Sequence, residues 1–488
     1  PEFPALAAAG VAAWLYALVS GCATPAIRAA AGFTFYLAGR YFFRERRLMN
    51  LLAAVALGFL LYDPAQMFDA SFQLSFLSIA AIGALATPLF DATSGLLSPA
   101  LRHLTDRDFD LRLPPRAARF RLELRLLAET LTLWTRVPER WTLSALAVFV
   151  RVVFFVYELV ALSAVFQVGL ALPMAIYFHR ISFSGVSANV LIVPLMTAIV
   201  PVGFLAIFTG WRAPAIVANA LLSASASIAR WHASWEPHWR ILDPPLWLSL
   251  AFVASLLLLT WTLRARRRWR WPSLALVLAL FALLLWQPRS PIMARGKLEL
   301  TAIDVGQGDS LLVAFPDGKL MIVDGGGLPV YGHRPKPRLD TGEDVVSPYL
   351  WSRAIRRVNV VVLTHDHEDH AGGIAALLEN FRPRELWTGA IPETEAWSRI
   401  REKARQDGVK IVPMDDRRRF DFGGTHIDVL SPPESYRPSS SPKNNDSLAF
   451  RISFGANSFL LTGDIEKQME NRLVAEGALS HVDVLKVA

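Results

Sequence analysis

Cysteine is nearly absent from this chain of 488 residues: Cys22 stands alone. An intrachain disulfide and a cysteine-built metal site are therefore excluded, and thiol usage says nothing about the redox compartment. Charge is scarce as well. Asp, Glu, Lys and Arg make up 19% of the residues, where a soluble globular chain carries about a quarter. With 53% hydrophobic residues and a mean hydropathy of +0.33, a disordered or fibrous chain is excluded too. The charge that exists is unevenly divided. Residues 1–296 carry 26 basic against 14 acidic side chains, and residues 297–488 carry 24 against 28. A single soluble domain does not divide this way. A multi-span membrane region over 1–296 followed by a soluble domain over 297–488 does.

Crossing a hydrocarbon layer of ~30 Å takes about 20 apolar residues in a helix. Nine such runs are read near 4–20, 23–43, 48–62, 67–88, 145–178, 186–209, 213–229, 245–263 and 272–288. The run 145–178 is long enough for one tilted span or a broken pair. No basic run precedes the first apolar stretch at Pro1-Glu2-Phe3-Pro4, so no cleavable signal peptide is expected. Arginine clusters in three loops: Arg44-Glu45-Arg46-Arg47, the 101–140 segment, and Arg264 with Arg266, Arg267, Arg268 and Arg270. Placing all three in the cytoplasm requires even numbers of spans between them. With 145–178 counted once, the last span carries the C-terminal domain to the outer side. Within 101–140, residues 116–134 alternate Arg with Leu, Phe and Ala at near-helical spacing, as an amphipathic helix on the inner membrane surface would. A solvated linker helix is the alternative.

Polar side chains at membrane depth are costly and mark functional sites or internal pairing. Arg28, Gln73, Arg151, Glu158, Gln167 and Asn189 fall inside the predicted spans. Arg151 and Glu158, seven apart, share a helix face and could simply pair within the bundle. Together with Pro173, Pro194 and Pro201, these groups favour a polar path over a passive anchor.

After Lys297 the pattern turns to short β runs at 298–304, 309–315, 320–323, 359–363, 410–413, 426–430, 448–454 and 457–462, with helices near 345–357 and 373–380. This mixture predicts an α/β sandwich of sheets with helices outside. Loops rich in Pro, Gly and Ser at 328–344 and 432–446 are placed beside a site. The strongest signal is Thr364-His365-Asp366-His367-Glu368-Asp369-His370-Ala371-Gly372-Gly373, which follows the apolar strand Val360-Val361-Val362-Leu363. Three imidazoles and a carboxylate on one tight turn can hold two neighbouring divalent metals, His365 with His367 on one and Asp369 with His370 on the other. Asp464, after the strand Phe459-Leu460-Leu461 and Gly463, supplies a bridging carboxylate, or is a turn residue only. Asp324, before Gly325-Gly326-Gly327, is read as an outer carboxylate that orients the ligands.

These residues resemble the metallo-β-lactamase fold, an αββα sandwich, over 297–488. Further matches narrow the resemblance to the ComEC-type competence proteins. They are Asp304-Val305-Gly306-Gln307-Gly308-Asp309-Ser310 and Asn444-Asn445-Asp446-Ser447-Leu448 in the soluble half. In the membrane half they are Asp63-Pro64 with Phe72-Gln73-Leu74-Ser75-Phe76, Ser20-Gly21 with Arg28, and Ala188-Asn189 with Pro194. The resemblance implies a further His-His-Gly stretch beyond Ala488 carrying a ligand for the second metal. It also leaves His426 without a metal role and puts Asn445 or Asp446 near the metals.

The resemblance implies a multi-pass protein of the bacterial inner membrane that passes single-stranded DNA inward during natural transformation. Arg28, Gln73, Arg151 and Asn189 would border the path. An outward domain with two divalent ions, Zn²⁺ or Mn²⁺, would degrade the strand that is not imported. Its metals would be held by His365, His367, Asp369, His370 and Asp464, with Asp369 and Asp464 also orienting the attacking water. Gly306, Gly308 and Asp309 would approach a phosphate, and Arg353, Arg356, Arg357, Arg417, Arg418 and Arg419 would track a backbone or simply be solvated. Implied partners are incoming duplex DNA, single-stranded DNA, membrane lipid, a DNA receptor and a cytoplasmic translocation ATPase. Two other readings stand: a membrane-anchored metallo-hydrolase of a non-nucleic-acid ester or cell-envelope substrate, and a transporter whose lactamase-like domain only binds.

Overall fold

The computed structural model describes residues 2–41, 48–236, 239–265, 267–328, 339–479 and 481–487. The arginines of 44–47, Arg266 and residues 329–338 of the 328–344 loop lie outside the described residues. The chain forms two compact units, Pro1–Trp239 with Pro244–Trp286, and Arg240–Asp243 with Gln287–Ala488.

The first unit is helical. Among the described residues, four helices are long and apolar enough to cross a membrane: Ala70–Ala92, Glu139–Gly169, Gly185–Thr209 and Leu246–Ala265. Pro4–Val19, Leu48–Tyr62 and Arg270–Trp286 are shorter apolar helices. The long run expected over 145–178 is one helix ending at Gly169, then a separate short one, Ala171–Tyr177. Polar side chains at depth find hydrogen-bond partners on neighbouring segments, as a low-dielectric surround favours. Arg28 donates to Ser71 Oγ and Ser75 Oγ at 3.1 Å each and to Asp69 at 3.2 Å, tying helix Thr24–Tyr41 to helix Ala70–Ala81. Gln73 donates to the Met67 carbonyl, Gln167 to the Ser182 carbonyl, and Asn189 to Ser163 Oγ. Arg151 and Glu158 each take a different partner from the one considered. Arg151 donates to the Leu101 carbonyl at 3.0 Å, and Glu158 accepts from Ser94 Oγ at 2.6 Å.

Helix Pro115–Thr135 covers the expected amphipathic segment, yet its most deeply buried large side chain is an arginine. Arg121 is fully buried and spends its donors on Asp110 and on the carbonyls of Ala100, Arg102, His103 and Asp106. Leu122, Leu126, Leu127, Leu133 and Trp134 point outward instead. A guanidinium can be buried this way because each N–H meets a carbonyl or carboxylate.

The second unit is a two-sheet sandwich. Strands β1 (Glu299–Ala302), β2 (Leu311–Ala314), β3 (Leu320–Val323), β4 (Val360–Leu363), β5 (Glu385–Thr388) and β6 (Lys410–Pro413) form one sheet in that order. The first three are antiparallel and β3 to β6 run parallel. The other sheet holds β7 (Arg419–Phe422), β8 (Thr425–Ser431), β9 (Ala449–Phe454), β10 (Asn457–Leu461) and β11 (Val484–Lys486), in the order β11-β10-β9-β8-β7. The all-apolar β4 is explained by burial on both faces. Val360 and Val362 meet Phe450 and Ile452 between the sheets, while Val361 and Leu363 meet Leu377, Leu378 and Phe381 under the outer helices. Helix Lys467–Ala475 covers the second sheet through Met469 and Leu473. Strands β5, β7 and β11 and the helices Glu395–Gln406 and Lys467–Ala475 were not anticipated from the sequence.

Candidate metal centre

The ends of β3, β4 and β10 converge. Asp324 leaves β3 with φ of +60°, a left-handed conformation that Asp adopts more readily than most residues. Almost fully buried, its carboxylate accepts from the Thr364 N–H at 2.8 Å, the Thr364 hydroxyl at 2.7 Å and His370 Nδ1 at 2.9 Å. His370 Nε2 faces Asp464 at 3.1 Å, and His365 Nε2 stands 3.0 Å from His367 Nδ1. The donor atoms of His365, His370 and Asp464 form one group, and those of Asp309, Asp324 and His370 another. The pairing therefore differs from the expected one: His365 groups with His370 and Asp464, while the Asp369 carboxylate belongs to neither group.

The electrostatics separate the two central histidines. Burial and the neighbouring His370 push His365 down to about 3, so its ring is neutral and keeps a free lone pair. Burial acts the same way on His370, but the Asp324 and Asp464 carboxylates outweigh it and push the ring up to about 10. Burial opposes ionisation of Asp464, yet the hydrogen bond and charge of His370, then Lys486 and His365, hold it well below the usual carboxylate range. Two imidazole nitrogens 3.0 Å apart cannot both carry a proton comfortably. The neutral His365 ring, the His370 ring once its proton leaves, and the Asp464 carboxylate converge as a donor set that a divalent cation takes, so these residues fit such an ion.

Glycines let the surrounding loops close. A Cβ on Gly308 (φ +86°) would fall 1.9 Å from the Asp369 carbonyl oxygen, whereas Gly306 (φ +83°) has nothing within 4 Å. Gly308→Ala is therefore expected to cost several kcal/mol and Gly306→Ala only about 1–2 kcal/mol, from the positive φ alone. Chemical denaturation of the two variants would check this. Asp309 stands 3.9 Å from His370 Nδ1 and pairs with Lys486. Asn445 accepts from the Glu466 N–H, and the buried Asp446 accepts from the Tyr436 hydroxyl at 2.8 Å.

Thr364, Ser447 and Lys486 were not singled out from the sequence. Ser447 Oγ accepts from the Asp464 N–H at 3.1 Å, and Lys486 reaches Asp464 at 3.4 Å. Thr364 and Ser447 lie inside the quoted motifs, but Lys486, 22 residues after Asp464, gives no local signal. Four of the six arginines considered for a DNA backbone have internal partners. Arg353 pairs with Glu299, Arg356 holds the Gln287 carbonyl, Arg417 pairs with Glu434 and Arg419 with Asp428. His426 pairs with Asp421 and Asp428, away from the centre.

Residues 1–266 match the family model described as "Competence protein". The chain belongs to the competence protein family. Residues 303–487 match the metallo-beta-lactamase superfamily, in accord with the sandwich and with a site for divalent metal. The chain is 26% identical to ComE operon protein 3 of Bacillus subtilis over 97% of its length and 54% of the relative. It is 28% identical to the uncharacterized protein YcaI of Escherichia coli over 63% of this chain and 37% of that one. With competence protein ComA of Neisseria gonorrhoeae it shares 25% identity, over 50% of this chain and 30% of that one. This competence-family chain thus spans about half the length of these relatives or less. Its apolar helices and family mark it as a membrane protein.

Proposed function

We propose that this competence-family protein takes part in DNA uptake at the bacterial inner membrane, passing single-stranded DNA inward while its sandwich domain hydrolyses the other strand outside. The observation that carries the reading is the union in one chain of the competence helices with a buried His365–His370–Asp464 centre. A cation bound there would supply Lewis-acid polarisation of a phosphodiester and a water of lowered pKa. Two such ions, Zn²⁺ or Mn²⁺, are the expected complement. His365, His367, His370 and Asp464 would hold the first, with Asp369 turned to the second. Asp324 fixes the His370 ring through Nδ1, which aims Nε2 at the centre. Lys486, beside Asp309 and Asp464, puts an ammonium where a phosphodiester anion would arrive.

Chain connectivity supports an outward domain. Arg240–Asp243 and Gln287–Ala488 belong to one unit, so the intervening helices Leu246–Ala265 and Arg270–Trp286 leave it and return to it. If both cross the bilayer, Arg264, Arg268 and Arg270 at their turn face the opposite side from the domain. Positive residues favour the cytoplasm, which puts the domain outside. In the membrane half, Arg28 borders a largely apolar cavity of about 570 Å³ whose Phe33, Tyr36 and Phe76 rings offer stacking faces for a strand's bases.

The test is the chain in lipid nanodiscs with Mn²⁺ or Zn²⁺ and end-labelled DNA. Metal-dependent cleavage, lost in His365→Ala/His370→Ala, is expected. Metallated, folded protein that leaves DNA intact while hydrolysing a carboxylic or envelope ester would replace this reading with the anchored hydrolase.

A further inference from the structure

Residues 240–243 stand in the chain between two helices of the membrane half, yet they are built into the sandwich unit. Leu242 is fully buried in the core shared with Leu350, Leu377 and Phe381, and its carbonyl accepts from Gln287 Nε2 at 2.9 Å. Arg240 lies over the Trp351 ring, 5.3 Å from its centroid. Its Nε donates to Asn380 Oδ1 at 2.9 Å, and it meets both oxygens of Glu343 at 2.9 and 3.0 Å. Asn380 in turn donates to Glu343 at 2.7 Å and to Ser347 at 3.0 Å.

The two elements held by Arg240 are those behind the metal centre. Asn380 closes helix Ile374–Phe381, which starts directly after the His365–Gly373 turn, and Glu343 sits in the turn Gly342–Val346. The two meet backbone to backbone at the other end. A Cβ on Gly342 would fall 2.1 Å from the Gly373 carbonyl oxygen, and one on Gly373 would fall 2.2 Å from that of Gly325. The Gly325 N–H itself donates to the His370 carbonyl at 2.8 Å. Three backbone layers without side chains between them have no slack, so a shift at Glu343 or Asn380 is passed to His370.

We infer that Arg240 is a positioning residue for the metal centre, and that Arg240–Asp243 is a strap that holds the elements behind the His365–His370 turn in place. A planar guanidinium suits this role because Nε and Nη2 hold Asn380 and Glu343 at a fixed angle to each other. The inference concerns the same centre as the proposed nuclease, but its test uses no DNA and so fails or stands separately.

The full chain in nanodiscs would carry Arg240→Met, Arg240→Lys, or the exchange Arg240→Glu with Glu343→Arg. Amide exchange in residues 342–352 and 365–381, and affinity for Zn²⁺ alone, would be measured. Arg240→Met is expected to speed exchange selectively in those segments while β7–β10 stay as in the parent. Zn²⁺ affinity should fall by at most about tenfold, the lower end of what losing a ligand's direct outer partner costs. Arg240→Lys, which keeps charge and packing stem, should show the same pattern at smaller amplitude, and the exchanged pair should recover part of the loss. Unchanged exchange and affinity would overturn the inference. So would a uniform rise across the whole sandwich, which marks Arg240 as a general stabiliser. If Arg240→Met does not fold, the Lys variant decides by the same two readouts.

Discussion

Asp324→Ala is expected to lower the stability of the metal-free sandwich by about 4 kcal/mol, while Asp324→Asn costs about half as much or less. The alanine leaves the buried Thr364 N–H and hydroxyl without their acceptor, at about 1–3 kcal/mol for each unsatisfied group. It also removes the nearest of the three carboxylates facing His370; breaking a buried ion pair costs about 3–5 kcal/mol. A φ of +60° adds about 1 kcal/mol of strain for alanine that Asn largely escapes. These contributions overlap because Thr364 and His370 share the one carboxylate, so the total falls below their sum. Asn keeps an oxygen for Thr364 but brings no charge to His370. It should therefore fold and yet bind metal about 10–100-fold more weakly. Denaturant melts of the metal-free chain, followed by intrinsic fluorescence, together with Zn²⁺ binding isotherms, would separate the two effects. Equal melts for Asp324→Ala and the parent would show that the Thr364 and His370 bonds contribute nothing net.

How much of this was legible in the sequence depends on distance along the chain. The His365–His370 turn carries its own signature, because imidazoles crowded after an apolar strand have no use on a bland surface. The β4 strand was legible for a similar reason: burial on both faces demands Val360-Val361-Val362-Leu363 without a polar break. Strand β5 was not, since Glu385-Leu386-Trp387-Thr388 owes its strand state to lying between β4 and β6 rather than to its own pattern. Helix Pro115–Thr135 shows the limit of periodicity. Its arginines and leucines alternate as an amphipathic helix should, but which side Arg121 faces depends on carbonyls in the 100–106 loop. The strap is the extreme case. Arg240, Ile241 and Leu242 look like a loop between spans, and only the folded core shows what Leu242 fills. The grouping of His365 with His370 and Asp464 likewise needs the register of β10 against β9, which no spacing within the turn contains.

Metal affinity is expected to rise about tenfold per pH unit from about pH 6 to pH 8, with close to one proton released for each ion bound. The reason is His370. Burial alone would lower its pKa, but Asp324 at 2.9 Å and Asp464 at 3.1 Å push it up to about 10. At neutral pH the metal-free centre therefore holds an imidazolium between two carboxylates. Because the folded value lies above the usual histidine value of about 6.5, this arrangement stabilises the metal-free fold fully below about pH 6.5. The contribution is lost as pH rises through about 10. A cation needs the Nε2 lone pair, so the proton must leave first, and the cost of removing it falls with each unit of pH. His365, pushed down to about 3, is already neutral and adds no slope in this window. The two forms thus respond oppositely: the metal-free fold loses a stabilising charge pair at high pH as the metal-bound form gains affinity. Metal should raise the melting temperature more at pH 8 than at pH 6. Calorimetry in two buffers of different ionisation enthalpy would count the protons, and His370→Gln should abolish both the release and the slope while leaving His365 and Asp464 in place. A flat affinity across this range, with no buffer-dependent heat, would mean that His370 is neutral before metal arrives. The Asp324–His370–Asp464 line would then be held by neutral hydrogen bonds instead of charge.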